Sequence, residues 1–457
     1  ASTLAPPPPS HRRRGANVEA TRQMHVIVIG AGAIGVCSAW YLRQAGFDVT
    51  VLERRGAPAQ ETSFGNAGMI APGYVTPWAA PGMPGKVLRT LFAREAPVVF
   101  RPCADPAMWR WIARWLRECK LERYRANKMR MQRLAFYSRA CLHRLRSELE
   151  IDYEQSQGYL QLFRTARDLD LAAPAVALLR ENNVPHQLVS AQECRRIEPG
   201  LAADTPLAGG LHLPEDESGN CPMFVRALHR HAEAAGVSFR FDTQVTRIRP
   251  DQAGKLQVEL APDASHGAAP VLSADRVLVA AGADSTALLR PLGLRVPLYP
   301  VKGYSVTVMI RDELQAPLGA LMDESYKIAI TRLGNRMRVA GTAELGSRRL
   351  DLRPAALRTL IKVARDWFPV AGNYQEATQW AGARPMLPDG PPLIGPTAVP
   401  GLFLNLGHGS TGWAMSCGSG KIVADQIAAS AATSAPAGPD IDMEGLLPDR
   451  YGLGPAR

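Results

Sequence analysis

The sequence predicts an α/β fold: a parallel, doubly wound sheet assembled from separated segments, with an antiparallel sheet and helices inserted between them. Three observations carry this prediction. A β-branched run, His25 to Ile29, opens directly into Gly30-x-Gly32-x-x-Gly35. Two further apolar runs, Ala274 to Ala281 and Gly401 to Leu406, end in the same way at Gly282 and Gly407. Between them, residues 298–345 alternate polar and apolar side chains, as in Tyr304-Ser-Val-Thr-Val and Arg336-Met-Arg-Val-Ala. That is the period of an antiparallel sheet, whereas continuous apolar runs belong to parallel strands buried on both faces.

The elements follow in order. Residues 1–23 carry a proline run, Pro6 to Pro9, and then Arg12-Arg13-Arg14, with no apolar segment behind the arginines. This is neither a secretory nor a twin-arginine signal; a disordered extension is expected, with Met24 a candidate start. The uncharged stretch Val26 to Leu42 is short for a membrane span of about 20 residues, and its three glycines argue against one. The strand at 25–29 should lead through the glycine turn into a helix from Val36 to Gln44, and a second strand, Phe47 to Leu52, ends at Glu53. Each part has a chemical purpose. Gly30 permits the tight turn, Gly32 lets backbone approach a pyrophosphate, and Gly35 lets helix pack on strand. The helix N-terminus offers N–H groups and a positive dipole to phosphates. Glu53, 18 residues beyond Gly35, stands where a carboxylate takes ribose hydroxyls. It disfavours a 2′-phosphate, leaving FAD or NAD.

Residues 61–78 form a loop rich in small residues, suited to close passage along a flat ring. Residues 86–150 read as arginine-rich helices. In Met108 to Lys120, helical steps gather Met108, Trp109, Trp111, Ile112, Trp115, Leu116 and Cys119 on one broad face, with Arg110, Arg114 and Arg117 opposite. Such a helix packs on a core through its apolar face or lies on an anionic bilayer. Strands are expected at 157–164, 209–213, 237–241, 243–248, 255–260 and 270–273, with a loose turn around 263–270 and a helix at 222–235. Gly382 to Gly395 reads as a turn-rich loop ending in a strand. Gly407-His-Gly-Ser-Thr-Gly412 opens a final helix, a second glycine-rich N-terminus for an electron-rich carbonyl or a negative charge.

Length and composition set limits. With 457 residues and about 150 per domain, two or three domains are expected; the segment pattern makes it two. The seven cysteines include no C-x-x-C pair, which argues against a disulfide framework, a zinc ribbon or a dithiol redox site and favours a reducing cytoplasm; the histidines show no metal-ligand spacing. The net charge of +11 admits a nucleic acid or an anionic membrane as partner. No nucleic-acid recognition module is evident, so no nucleic-acid partner is expected. The surplus fits a membrane surface reached through residues 86–120.

Taken jointly, these pieces resemble the D-amino acid oxidase superfamily of glutathione-reductase-like (GR2) flavoproteins. Within it, the chain from Met24 to about 452 looks like the small-subunit family of bacterial D-amino acid dehydrogenases. The resemblance rests on Gly30-x-Gly32-x-x-Gly35, Glu61-Thr-Ser-x-x-Asn66-Ala-Gly68, Gly158-x-Leu-Gln-Leu-Phe-Arg-Thr165, Pro300-x-Lys-Gly-Tyr304, Asp323-Glu-x-Tyr-Lys-Ile-Ala-Ile-Thr-Arg332, Arg384-Pro-Met-x-Pro-Asp-Gly390 and Gly407-His-Gly-x-x-Gly-Trp413. It implies an FAD-binding Rossmann-like domain from residues 24–85, 214–295 and 374–435. An antiparallel-sheet and helical substrate domain would come from 86–213 and 296–373, and 436–457 would form a C-terminal tail. It further implies non-covalent FAD and oxidative deamination of D-amino acids, D-alanine foremost, to the 2-oxo acid and ammonia. Hydride would pass to the flavin and electrons to an acceptor such as a membrane quinone.

The residues implied at the cofactor are Ile29, Gly30, Ala31, Gly32, Ala33, Ile34 and Gly35; Glu53 and Arg54 at the ribose; and Ser63, Asn66, Ala67 and Gly68 at the flavin edge. Val245 would meet the adenine with backbone, Gly282 would turn close by, and Gly407, Gly409, Ser410 and Thr411 would face the flavin pyrimidine. Arg384 aligns with the arginine that clamps a substrate carboxylate, with Tyr326 and Tyr304 as further carboxylate partners and His408 and Lys302 beside them. A planar carboxylate is the natural bidentate partner of a guanidinium. An oxygen-using oxidase of glycine, sarcosine or D-amino acids shares nearly every motif; an RNA-modifying flavoprotein is the more distant alternative.

Overall fold

The computed structural model describes residues 23–90, 97–101, 103–262, 269–432 and 438–455. The expected N-terminal extension, apart from Gln23, and most of the expected loose turn lie outside them.

A six-stranded sheet forms the centre of one half. Its order is Leu393–Pro396, Leu402–Leu406, Arg276–Val279, His25–Ile29, Asp48–Leu52, Ser238–Arg240. All neighbours are parallel except the first two. The alternation of strand side chains explains why its strands read as unbroken apolar runs. Val26 and Val28 pack into a core with the helices Ala33–Gln44, Cys221–Ala234 and Gly412–Ala431. Ile27 and Ile29 enter a second core with the three-stranded sheet Val245–Pro250, Leu256–Leu260 and Val271–Ala274. The uncharged stretch after residue 25 is thus strand, turn and helix. Among the described residues no helix is long and apolar enough to cross a membrane.

The second sheet runs Thr378–Met386, Tyr299–Met309, Arg336–Leu345, Ile328–Leu333, Ala320–Asp323, Ser156–Phe163, Gly209–Ser218, Met69–Ile70, with Val98–Phe100 and Gln187–Ser190 added at its sides. The expected antiparallel region is present, but Ala320–Asp323 pairs in parallel with Ser156–Phe163, so the sheet is mixed. Two sequence expectations need correcting. Gly382 to Met386 is no loop; it belongs to the strand Thr378–Met386 at one end of the strand order, where Pro385 is tolerated because an edge strand needs fewer ladder donors. The helix Pro354–Trp367 was not foreseen, although Pro354 in its first turn and apolar residues at 357, 360, 363, 364 and 367 spell it out. It buries Leu360, Val363 and Trp367 against the antiparallel strands.

The arginine-rich segment forms Met83–Thr90, Pro106–Glu118 and Leu121–Leu149. Asp105 caps the second helix by accepting from Ala107 N at 2.9 Å. Its broad apolar face divides. Met108 and Trp111 are buried, Trp111 Nε1 donating to Met386 O at 3.0 Å, whereas Trp109 and Leu116 are each 48% exposed.

Candidate active site

The turn after the first strand is built as its glycines require. Gly30 adopts φ +105°, and a Cβ there would lie 2.7 Å from Ala280 O, at the end of the neighbouring strand. A Cβ on Gly35 would lie 1.8 Å from Gly30 O, so helix and turn close on each other only through glycine. Glu53 ties the turn to the second strand: its Oε2 accepts from Ala31 N at 2.7 Å and its Oε1 from Arg55 N at 2.9 Å. Ser63 Oγ accepts from Ala33 N at 3.1 Å, in the first turn of the helix. The dinucleotide turn and the small-residue loop therefore share one helix N-terminus. Arg54 bridges Glu61 and Asp284 at 2.9 and 2.8 Å, closing the rim beside Gly282.

These groups open onto one cavity of about 1860 Å³, larger than the roughly 300–1,000 Å³ of an ordinary small-molecule site. It is lined by Ile29, Gly30, Gly32, Ala33, Ile34, Glu53, Arg54, Ser63, Asn66, Ala67, Gly68, Val245, Gly282, Gly407, Gly409, Ser410 and Thr411, and also by Arg384, Tyr304 and His408. Ala31 and Gly35 support it from behind. The small-residue loop is locked internally, Asn66 donating to Ser63 O and accepting from Gly68 N, both at 2.7 Å. Arg338, which sequence reasoning passed over, holds this loop from the sheet. Its Nη1 donates to Phe64 O and Asn66 O at 3.1 Å, and its Nε to Thr307 Oγ1 at 2.7 Å. Burial lowers this guanidinium to about 10. The signal was an arginine inside an alternating strand, between apolar Met337 and Val339.

Arg384 lies across the sheet toward its neighbours. Nη1 donates to Lys302 O at 3.4 Å and Thr342 O at 3.2 Å, and Nη2 to Gly341 O at 3.4 Å. A Cβ on Gly303 would sit 2.4 Å from its Cζ, so the guanidinium rests flat on that glycine, with the Trp78 ring 5.9 Å away. Among the described residues no carboxylate pairs with it. Burial lowers it to about 10, so it remains cationic at neutral pH.

The other expected substrate contacts separate. Tyr304 O–H donates to Glu344 Oε2 at 2.7 Å, and that carboxylate also accepts from Arg353 at 2.9 Å; the phenol is raised by burial and this neighbour. Tyr326 does not line the cavity. Its hydroxyl accepts from Lys362 Nζ at 2.8 Å, and its ring packs under the Arg164 guanidinium at 4.9 Å. His408 is buried with Nε2 3.1 Å from Ser419 Oγ. Burial lowers the imidazole to about 3, so it is neutral and anchors the 407–411 turn. Lys302 pairs with Asp351 at 2.9 Å. Only Arg384 of this group presents an uncommitted charge to the cavity.

The chain matches a family model described as FAD dependent oxidoreductase (DAO) over residues 25–426. It is 48% identical to the D-amino acid dehydrogenase of Bradyrhizobium diazoefficiens over 430 residues, 94% of this chain and 99% of that protein. It is 45% identical to the D-amino acid dehydrogenase of Vibrio vulnificus over 420 residues, 92% and 99% of the two chains. In fold it is similar to glycine oxidase from Geobacillus kaustophilus, with a TM-score of 0.71, 22% identity and coverage of 93% and 98%. L-proline dehydrogenase from P. horikoshii gives a TM-score of 0.68, 17% identity and coverage of 95% and 99%. The glycine turn, the Glu53 carboxylate and the cavity between the two sheets fit FAD. The chain belongs to the DAO family of FAD-dependent oxidoreductases, among the D-amino acid dehydrogenases.

Proposed function

We propose that the protein is an FAD-dependent D-amino acid dehydrogenase, converting D-amino acids, D-alanine among them, to the 2-oxo acid and ammonia. The observation that carries this reading is Arg384: a half-buried guanidinium on the cavity wall, charged at neutral pH, held by three backbone carbonyls and, among the described residues, left without a carboxylate partner. The substrate carboxylate completes it, and two-point binding fixes the Cα–H direction. Bound FAD supplies the two-electron oxidation. The residues proposed to hold it are Gly30 to Gly35 at the pyrophosphate, Glu53 at the ribose, Ser63 and Asn66 to Gly68 at the ring edge, and the 407–411 turn at its pyrimidine side. Arg338 keeps the loop that edges the ring in place. The six-stranded sheet supports the proposed division, since segments 24–85, 214–295 and 374–435 supply all six of its strands, while the same segments also lend Met69–Ile70, Thr378–Met386 and the end of Gly209–Ser218 to the second sheet.

Anaerobic addition of D-alanine is expected to bleach the flavin, and aerobic turnover to yield far less than one peroxide per D-alanine. Stoichiometric peroxide points instead to an oxygen-using oxidase.

For the acceptor we propose a membrane quinone, reached by peripheral contact through the helix Pro106–Glu118 and its neighbours. Trp109, Leu116 and Leu121 stand exposed there beside Arg110, Arg114 and Arg117, the composition of an interfacial helix. The protein is expected to sediment with vesicles containing phosphatidylglycerol. Replacing Trp109 and Leu116 together with Ser should weaken this several-fold; equal binding by the double variant removes the contact from the reading.

A further inference from the structure

The cavity extends well past the carboxylate clamp. In the ten-stranded sheet, Ala340, Ala329, Met322, Gln161 and Leu211 are directly opposed from strand to strand, and all five line the cavity. Arg384 donates to the carbonyls of Gly341 and Thr342, so the clamp lies beside Ala340, at the head of this row. Strands lie about 4.8 Å apart, so Met322 is roughly 10 Å and Gln161 roughly 14 Å farther along. A methyl side chain covers only the start of that path. Alanine at the first two places keeps the floor low, and Leu213 and Tyr74 add apolar wall.

A further part of the wall is the helix Leu121–Leu149, which turns Tyr124 and Lys128 onto the cavity one helical turn apart. Its neighbours there are already satisfied: Tyr124 bonds Thr76 Oγ1 at 3.0 Å, and Gln132 bonds the carbonyls of Pro72 and Gly73. Lys128 is not. Its side chain is buried, the residue being only 4% exposed, yet among the described residues it makes no hydrogen bond or ion pair. Asp216, its electrostatic neighbour, accepts from Gly73 N at 3.2 Å through Oδ1, which also lies 3.9 Å from Arg139, while its buried Oδ2 has no hydrogen-bond partner among the described residues and does not bond Lys128. Lys327, a further cation on the cavity wall, is paired with Glu324 and has Lys86 as an electrostatic neighbour. Burial lowers Lys128 to about 8, which leaves it mostly charged at neutral pH. A buried ammonium with open donors is costly unless a ligand completes it.

We propose that this arm is the side-chain subsite for D-amino acids larger than alanine whose apolar stem ends in a carboxylate or carboxamide, with Lys128 donating to that terminal oxygen. This rests on the D-amino acid reading above. The alanine and methionine floor receives the stem, and the ammonium selects its end and rejects a terminal cation.

The test compares kcat/KM for D-2-aminoadipate, D-norleucine, D-lysine and D-alanine in the holoenzyme and in two variants with normal flavin content. D-2-Aminoadipate and D-norleucine are near-isosteric but differ in the terminal oxygens, so their ratio reads Lys128. Lys128→Met is expected to lower that ratio about tenfold, as loss of a charged hydrogen bond implies, and to relieve the discrimination against D-lysine. Ala329→Leu, which fills the floor, is expected to lower both long substrates at least tenfold relative to D-alanine. Unchanged ratios in both variants, with D-alanine still bleaching the flavin, overturn the subsite alone. The same holds if Lys128→Met instead raises KM for a soluble quinone at unchanged ratios. Failure of every D-amino acid to bleach the wild-type flavin overturns the underlying reading as well.

Discussion

Replacing Arg384 with Ala is expected to raise the KM for D-alanine at least tenfold, with a smaller effect on kcat. The charged hydrogen bonds lost are worth about 1.5–3 kcal/mol, and each 1.4 kcal/mol is about a factor of ten in affinity. Arg384→Lys should recover little, because an ammonium cannot offer two parallel donors to a planar carboxylate. The geometry adds a sharper control. The guanidinium rests on Gly303, where a Cβ would come within 2.4 Å of Cζ. Gly303→Ala should therefore reproduce much of the KM increase while leaving the arginine in the chain. Gly382→Ala, on the same edge strand as Arg384, meets the Trp380 ring instead, at 2.0 Å. Its effect should appear in the shape of the cavity more than in carboxylate binding. Steady-state kinetics on D-alanine separate these outcomes; a KM unchanged in Arg384→Ala refutes the clamp.

What the sequence made legible, and what it hid, follows from how local each signal is. The turn at Gly30 to Gly35 and the acid at Glu53 are decided by neighbours in the chain, and the structure forms them as read. The 407–412 turn also forms where its glycines place it, although Gly407 and Gly409 fit there against Leu387 and Met386, which are distant in the chain. Side-chain pairings between distant segments are different. Tyr304 looked available from its motif, but Glu344, forty residues away, takes its hydroxyl. Tyr326 looked equally available until Lys362, on the helix that was not foreseen, claimed it. Arg338 and Lys128 were hidden for the opposite reason. One sits in an ordinary strand alternation and the other in a helix crowded with basic residues, and only the fold shows that both are buried, Lys128 at the cavity and Arg338 beneath the loop that lines it. The proline-rich spelling of residues 382–395 suggested a loop because turn-formers outweigh a short alternation, yet Trp380, Gly382 and Arg384 line the cavity from an edge strand.

The glycine turn yields the other large expected effect, and it divides between two positions usually treated alike. At Gly35 any side chain collides with the carbonyl of Gly30, at 1.8 Å for the Cβ alone, so the helix Ala33–Gln44 must part from the first strand. That helix is buried on Val36, Cys37, Ala39 and Leu42, and a rigid core pays about 1–3 kcal/mol or more for such overpacking. Gly35→Ala should therefore lower the melting temperature of the apoprotein by several degrees and abolish flavin retention, because the displaced helix N-terminus no longer aims its N–H groups at the pyrophosphate. At Gly32 the nearest atom to an added Cβ is Ser63 Oγ, at 3.3 Å, which a side-chain rotation relieves. Gly32→Ala should leave apoprotein melting nearly unchanged and act only where the bound pyrophosphate approaches the backbone. It should weaken FAD binding and remove the added stability that a tight ligand confers. Melting curves of apo and FAD-saturated protein, with the flavin-to-protein absorbance ratio after gel filtration, distinguish the two. Equal apoprotein melting for both variants would show that the contact between Gly35 and Gly30 does not set the position of the helix.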